Sequence, residues 1–473
     1  MQKILLFIAS LFYFNFLFSK NEIKSWQGIH ETPLSRLEQQ FAEPPVEFAN
    51  HVIWGWEGKM DKKTICNDLD SIKKKGFRAV IFEAGYKLPF KYLSEEWFKA
   101  IRTGVVEAKK RDMKVWIIDE GKYPSGFAGG KFSQERPDLR MQALVIGDTI
   151  QIKRGEVMTN HKIAPEIISA VAVSTSGAPN RTVAINNGEI SFNAGLDDWK
   201  ILLVKSDFRT AVTRAVNNPN GGKDATNSLC DYLNPVAVQQ FIDWTHEQYK
   251  KYLGKELGTT VLGFRGDEPD YAHLPWTPSI VQTFKDTKGY DPTPYLASFF
   301  TASPTIQEQR VKADYWDVWS SLFATHFFKL QADWCAANGV AHITHLNKEH
   351  EMPACVKAEG DYFRALSKVQ IPGVDAIWNQ IWPSTLNDFP KLASSVAHVY
   401  GKPRAFSESF AAYHISPTIP QAKFVVDHQI ARGINFFEFM FWLAGSKHRN
   451  WMSDPGMKGL NEYTNRTTYL MSQ

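Results

Sequence analysis

From about residue 51 to the C-terminus, short apolar runs rich in Val, Ile, Phe and Trp alternate with longer amphipathic stretches. Strand-length runs alternating with helical periodicity are the pattern of successive βα units. Eight strand candidates can be counted: HVIWGW from His51, RAVIFEAG from Arg78, KVWIIDE from Lys114, TVLGFRGDEPD from Thr260, AHITHLNKE from Ala341, GVDAIWNQ from Gly373, PRAFSESF from Pro403 and INFFEFMFWL from Ile434. The intervening pattern predicts helices over residues 63–75, 94–111, 389–400 and 419–432. A further helix over 235–257 opens on Asn234-Pro235, a good N-cap followed by a proline at the first helical position. Eight parallel strands with interleaved helices predict a (β/α)8 TIM barrel of the α/β class.

One connection is too long for a plain barrel. About a hundred residues separate the third strand from the third helix, far more than a βα loop needs. Residues 141–208 alternate short β-like runs (ALVIGDTIQIK, AVAVST, TVAINNGEISF, KILLVK) with Gly and Asn turns. They predict a small antiparallel β insertion at the C-terminal end of the barrel, followed by a linker over 216–227 containing Asn-Asn-Pro-Asn-Gly-Gly. The expected organisation is a signal peptide (1–19), a lead-in (20–50), barrel strands one to three (51–140), the inserted module and linker (141–230), and the rest of the barrel (231–473).

The signal-peptide expectation rests on Lys3 followed by an uncharged run from Ile4 to Ser19, too short for a membrane span. It implies a secreted or periplasmic protein with no stable membrane insertion. Four cysteines, Cys66, Cys230, Cys335 and Cys355, form no CxxC pair and no zinc-like spacing, so buried thiols are expected, with a disulfide left open. Lys plus Arg is 54 against 50 for Asp plus Glu, a net charge of +4. That balance argues against nucleic acid as a partner. Aromatic residues make up 13%, with 15 Trp, enough to line a site for ring-shaped ligands as well as a core.

In a TIM barrel the chemistry sits where strands end. Those ends carry Glu83, Asp119 and Glu120, Asp267 and Glu268, His345 with Glu349, Asp375, Glu408 and Glu438. Several carboxylates around one cavity push each other's pKa values apart, leaving one protonated as an acid and another ionised. Glycosidic cleavage needs that division. Glu268 in GDEPD and Glu408 in SES, at the ends of strands four and seven, are the catalytic candidates. Substrate-contact candidates are Glu83, Glu120, Asp267, His345, Asp375 and Glu438, with ring faces from Trp54, Trp56, Tyr123, Trp276, Trp378 and Trp382. There is no GxSxG elbow, HExxH or phosphate loop, so no organic cofactor is expected.

YPSGFAGG (Tyr123 to Gly130), DYLNP (Asp231 to Pro235), GDEPD, LPWTPSI (Leu274 to Ile280), GVD (Gly373 to Asp375), GKPRAFSES (Gly401 to Ser409) and RGIN (Arg432 to Asn435) occur in this order. Together they resemble the bacterial glycoside hydrolases related to family 106, the α-L-rhamnosidase family. The resemblance implies an exported, exo-acting hydrolase of an oligo- or polysaccharide, calcium-assisted and inverting by family precedent, although a carboxylate pair on strands four and seven is also the arrangement of retaining enzymes, which leaves the stereochemical outcome open. On it, Glu268 and Glu408 fall at the catalytic positions, and Glu349 with Glu120 are candidates for calcium contacts. Members of the family run on past the barrel into β-sandwich modules, so the resemblance also implies a short or truncated homologue. The alternative reading is a non-catalytic carbohydrate-binding barrel.

Overall fold

The computed structural model describes residues 26–28, 32–210, 227–271, 274–445 and 450–473. The expected signal segment and almost all of the expected linker lie outside these residues. Eight strands close into a parallel barrel: β1 His51–Trp56, β2 Ala79–Ala84, β3 Lys114–Ile118, β4 Val261–Gly266, β5 Ala341–Thr344, β6 Ile371–Ala376, β7 Phe406–Ser409 and β8 Phe436–Leu443. The TIM-barrel expectation holds.

Alternation along each strand sorts the side chains, because successive residues point to opposite faces. Val52, Trp54 and Trp56 of β1 pack outward into the helix layer, whereas Ile53 joins Ile81, Trp116, Ile343, Phe406 and Phe436 inside the barrel. Gly373 makes room for this filling. A Cβ there would come within 2.1 Å of the Phe406 ring.

Helix starts follow their caps. Asp61 accepts from Thr64 N at 2.9 Å to open Lys62–Lys74, Ser94 opens Glu95–Lys110, and a Thr418/Gln421 capping box opens Ile419–Ile430. The long helix expected over 235–257 is broken. It runs Pro235–Trp244, interrupts at Thr245, and resumes as His246–Leu253. Thr245 leaves helical geometry there, its hydroxyl donating to the Phe241 carbonyl and meeting His246 Nδ1 at 2.9 Å.

The segment after β3 forms two antiparallel sheets. One contains Gln142–Ile152, Trp199–Phe208, Ile167–Ser174 and Arg181–Thr182; the other contains Val157–Lys162, Glu189–Asn193 and Ile185–Asn186. They share a core that includes Ile152, Ala172, Phe192, Trp199 and Ile201. A fifth strand of the larger sheet, Pro275–Trp276, comes from the loop after β4 and pairs with Gln142 and Ala143. The insertion is thereby fastened to the loop that carries Glu268. The four cysteines form no disulfide, and no described helix is long and apolar enough to cross a membrane.

Candidate active site

Six of the eight strands are apolar low in the barrel and become ionisable one inward-facing position higher. Phe406 gives way to Glu408, Phe436 to Glu438, Gly373 to Asp375, Ile343 to His345, Ile81 to Glu83 and Gly263 to Arg265. Lateral register places these groups side by side: Asp375 pairs with Glu408, and Glu408 with Glu438.

Arg265, absent from the sequence-based candidates, is the hub. Its side chain is fully buried, a costly position for a charge unless carboxylates surround it. Nη1 lies 2.7 Å from Asp267 Oδ1, Nε donates to Glu438 Oε2 at 3.2 Å, and Nη2 donates to Glu408 Oε2. Nη2 is also 2.9 Å from His345 Nε2. Burial lowers the guanidinium pKa, but the charges of Asp267, Glu408 and Glu438 outweigh it and hold it above the ordinary value.

His345 Nδ1 donates to the Leu346 carbonyl at 2.8 Å, which aims Nε2 toward Asp267 Oδ1 at 3.3 Å and Glu408 Oε2 at 3.4 Å. Burial and Arg265 oppose protonation of the ring, yet the bonds to Asp267 and Glu408 win and raise its pKa well above the ordinary value. Burial would also raise Asp267, but Arg265 and His345 hold it below the usual carboxylate range.

Glu268 is treated oppositely. Burial, then the adjacent Asp267 charge, push its carboxyl up to about 8. Its backbone is held at φ +38°, in a region non-glycine residues rarely occupy. The site thus sets a protonated Glu268 among carboxylates, one of which, Glu408, is ion-paired to Arg265. Asp375, raised well above its ordinary value by burial and by the Glu408 charge, keeps Oδ1 without a hydrogen bond. Burial raises Glu438 to about 7, and its Oε1 is likewise unpartnered.

Exposure separates groups that can meet a ligand from groups behind them. Glu83, Asp375 and Glu408 are each 7% exposed, against 1% for His345 and 0% for Glu438. Glu83 Oε1 pairs with Lys122 Nζ at 2.9 Å, a second cation that the sequence reading passed over. Burial raises Glu83 against the pull of Lys122. Asp119 accepts from the Ser125 hydroxyl at 2.7 Å, and Ser125 Oγ in turn accepts from Asp267 N at 2.7 Å. The YPSGFAGG loop is so tied to the GDEPD loop.

Four expected contacts lie elsewhere. Trp54 is fully buried on the outer face of β1, its Nε1 donating to Asp68 at 3.2 Å. Trp56 is fully buried on the outer face of β1, packed against Phe82 and Trp97. Trp276 is buried in the core, its strand paired with the inserted sheet. Glu120 turns its carboxylate into the backbone amides of Gly121 and Gly129, at 2.6 and 3.0 Å, and of Ala128. It anchors the loop after β3. Trp378, by contrast, is 51% exposed three residues beyond Asp375 and held at φ +51°. Trp382 is half-buried, its ring edge-on to Tyr413.

The two calcium candidates do not make a common site. The Glu120 oxygens are occupied by amides, and Glu349 Oε1 accepts from Leu346 N at 3.0 Å, its carboxyl raised to about 7 by burial. Among the described residues two groups, Asp267/His345/Glu408 and Glu268/His345/Asp375, bring one ligand atom each within 4.8 Å of the others. Both include a histidine nitrogen, whereas calcium takes oxygen ligands, and Arg265 already occupies the first. Neither of these two groups fits calcium.

Comparison with known proteins agrees with this geometry. Over 90% of its length the chain is 23% identical to a Formosa agariphila protein named "Putative beta-glucuronidase", of which it covers 39%. The structure superposes on a rhamnosidase from Novosphingobium sp. PP1Y with a TM-score of 0.69 at 15% identity, covering 94% of this chain and 61% of that one. A β-galactosidase from Halorubrum lacusprofundi matches with a TM-score of 0.50 at 8% identity, over 88% of this chain and 57% of that one. The chain thus spans about two-fifths of the curated relative and three-fifths of the rhamnosidase. The model of glycoside hydrolase family 106, alpha-L-rhamnosidase, matches residues 158–468, well over half of the chain, and the protein belongs to that family.

Proposed function

We propose that this chain carries the catalytic site of an exo-acting glycoside hydrolase that removes a terminal neutral sugar, α-L-rhamnose, from an oligo- or polysaccharide. The observation that carries this reading is a carboxyl raised to about 8, Glu268, set in one pocket with the Arg265-paired carboxylate of Glu408. Glu268 donates its proton to the glycosidic oxygen as the bond to the anomeric carbon breaks, so the leaving group departs as an alcohol. Glu408 takes a proton from the attacking water, whose oxygen bonds to the anomeric carbon with inversion. The surrounding carboxylates favour the positive charge that develops on the sugar ring in the transition state.

The charge balance favours a neutral sugar over a uronic acid. Arg265 is paired with three carboxylates and Lys122 with Glu83, so a sugar carboxylate would face Glu408 and Asp375 with neither of these cations to receive it. Buried oxygens without partners, Asp375 Oδ1 among them, suit the hydroxyl donors of a neutral ring. The uncharged run Ile4 to Ser19 supports export to the periplasm or medium.

The test is a panel of aryl glycosides with the first-formed anomer read by NMR. Release of inverted rhamnose with no cleavage of a β-D-glucuronide supports the reading. Preferential cleavage of the glucuronide, or rhamnose binding without turnover, overturns it, the second outcome favouring a binding barrel.

A further inference from the structure

We infer that Arg265 is a positioning residue: it does not touch the sugar but fixes Glu408 relative to the ends of β4 and β8. The inference rests on the reading of Glu408 as the second carboxylate. Its guanidinium engages Asp267 beyond its own strand β4, Glu408 on β7 and Glu438 on β8. One rigid planar fork therefore sets the relative placement of three strand ends, which no single point charge can do. The side chain is 0% exposed and lies behind carboxylates that are themselves only slightly exposed, so a substrate reaches Glu408 without reaching Arg265.

The groups around it make the role specific. Asp267, Glu408, Glu438 and His345 contact it, Asp375 flanks Glu408 in register, and Glu268 follows Asp267 in the chain. Asp119 is tied to Asp267 through Ser125, Glu349 lies behind His345, and Glu83 is satisfied by Lys122. Below, His51 pairs in register with Glu438, its ring held neutral by burial and by the Arg404 charge. Among these described groups only Arg265 joins Glu408 to Glu438. Without it the two carboxylates, adjacent in register, repel one another, and Glu408 Oε2 keeps only the longer contact to His345.

A residue acting this way lowers kcat and leaves KM alone, because ground-state contacts to the sugar are untouched. For Arg265→Met we expect kcat to fall about 100-fold, the cost of misplacing a catalytic group by an ångström, with KM within about threefold of wild type. Arg265→Lys, which keeps the charge but loses the fork, should recover part of that loss. The double variant Arg265→Met/Glu438→Gln removes the carboxylate left unpaired and should restore the melting temperature without restoring kcat, which separates positioning from folding. Arg265→Met with kcat within threefold of wild type, or a loss confined to KM, overturns the inference. A crystal structure of Arg265→Met is the arm that needs no substrate. A displaced Glu408 carboxylate supports the inference even if the wild type cleaves none of the glycosides tried, whereas an unmoved Glu408 refutes it.

Discussion

The lower and upper halves of the barrel interior are built from the same strands one inward step apart, roughly 6–7 Å along each, and they obey opposite rules. Below, Ile53, Ile81, Trp116, Ile343, Phe406 and Phe436 fill space, and even His51 is held neutral, its pKa driven far down by burial and by Arg404. Above, Arg265, His345 and six carboxylic acids, Glu83, Asp267, Glu268, Asp375, Glu408 and Glu438, come together; burial raises Glu83, Glu268, Asp375 and Glu438, while Arg265 and His345 hold Asp267 down. The backbone leans the same way, with Asp112 in the turn before β3 as the counterexample at the lower end. Lys122, Ala128, Glu268, Lys348, Trp378, Asn379, Phe410 and Ala412, all non-glycine residues with positive φ, lie in loops that leave the upper ends of the strands. Such conformations cost free energy and persist where surrounding contacts fix them, typically at functional sites. The lower half holds the strands together so that the upper half can carry groups that oppose stability.

Mutations on the two sides should therefore fail differently. Phe436→Ala, in the lower half, is expected to cost about 3–5 kcal/mol of stability, seen as a lower denaturant midpoint, with kcat of the folded fraction unchanged. Glu408→Gln, two residues above Phe406, should do the reverse: about a 10²–10⁴-fold loss of kcat with little change in melting temperature. If Phe436→Ala abolished turnover without destabilising the fold, the division would be wrong.

Protonation sharpens the contrast. The active form of Glu268 is protonated, present below about pH 8 and lost above it. The ratio kcat/KM should therefore fall with rising pH above about 8. The same shift opposes stability in a known direction. A carboxyl raised from 4.5 to about 8 contributes stability that is present below 4.5 and lost as pH rises through about 8. Glu268→Gln should consequently melt higher than wild type at pH 9, and a lower melting temperature there would contradict the raised pKa. The smallest effect is expected from Trp378→Ala. With half its surface in solvent, the ring contributes little to stability. Its loss should raise KM by about tenfold or less for substrates whose leaving group carries a ring, if stacking there is worth about 1 kcal/mol.

Alternation and capping made the barrel legible, because each strand is a local pattern and each helix start a local hydrogen bond. The acidic pocket was legible for the same reason: Glu408 and Glu438 share the inward parity of Phe406 and Phe436. That rule also held the two signals passed over. Arg265 stands between Gly263 and Asp267 on the inward parity, an interior charge in an otherwise apolar strand, while Trp56 shares the outward parity of Val52 and Trp54. What local pattern does not contain is where loops fold back. Glu120 is claimed by amides up to nine residues away, and Trp276 by a strand more than 130 residues earlier. Those pairings are set by tertiary closure of the insertion onto the barrel.

The central claim is that Glu268 protonates the leaving oxygen, and leaving-group dependence tests it most directly. Cleavage of a dinitrophenyl rhamnoside needs no proton on its departing oxygen, whereas an alkyl rhamnoside does. Glu268→Gln should lose about 10²–10⁴-fold in kcat/KM on the alkyl substrate while remaining close to wild type on the dinitrophenyl one. Equal losses on both substrates would contradict the assignment of Glu268 as the acid.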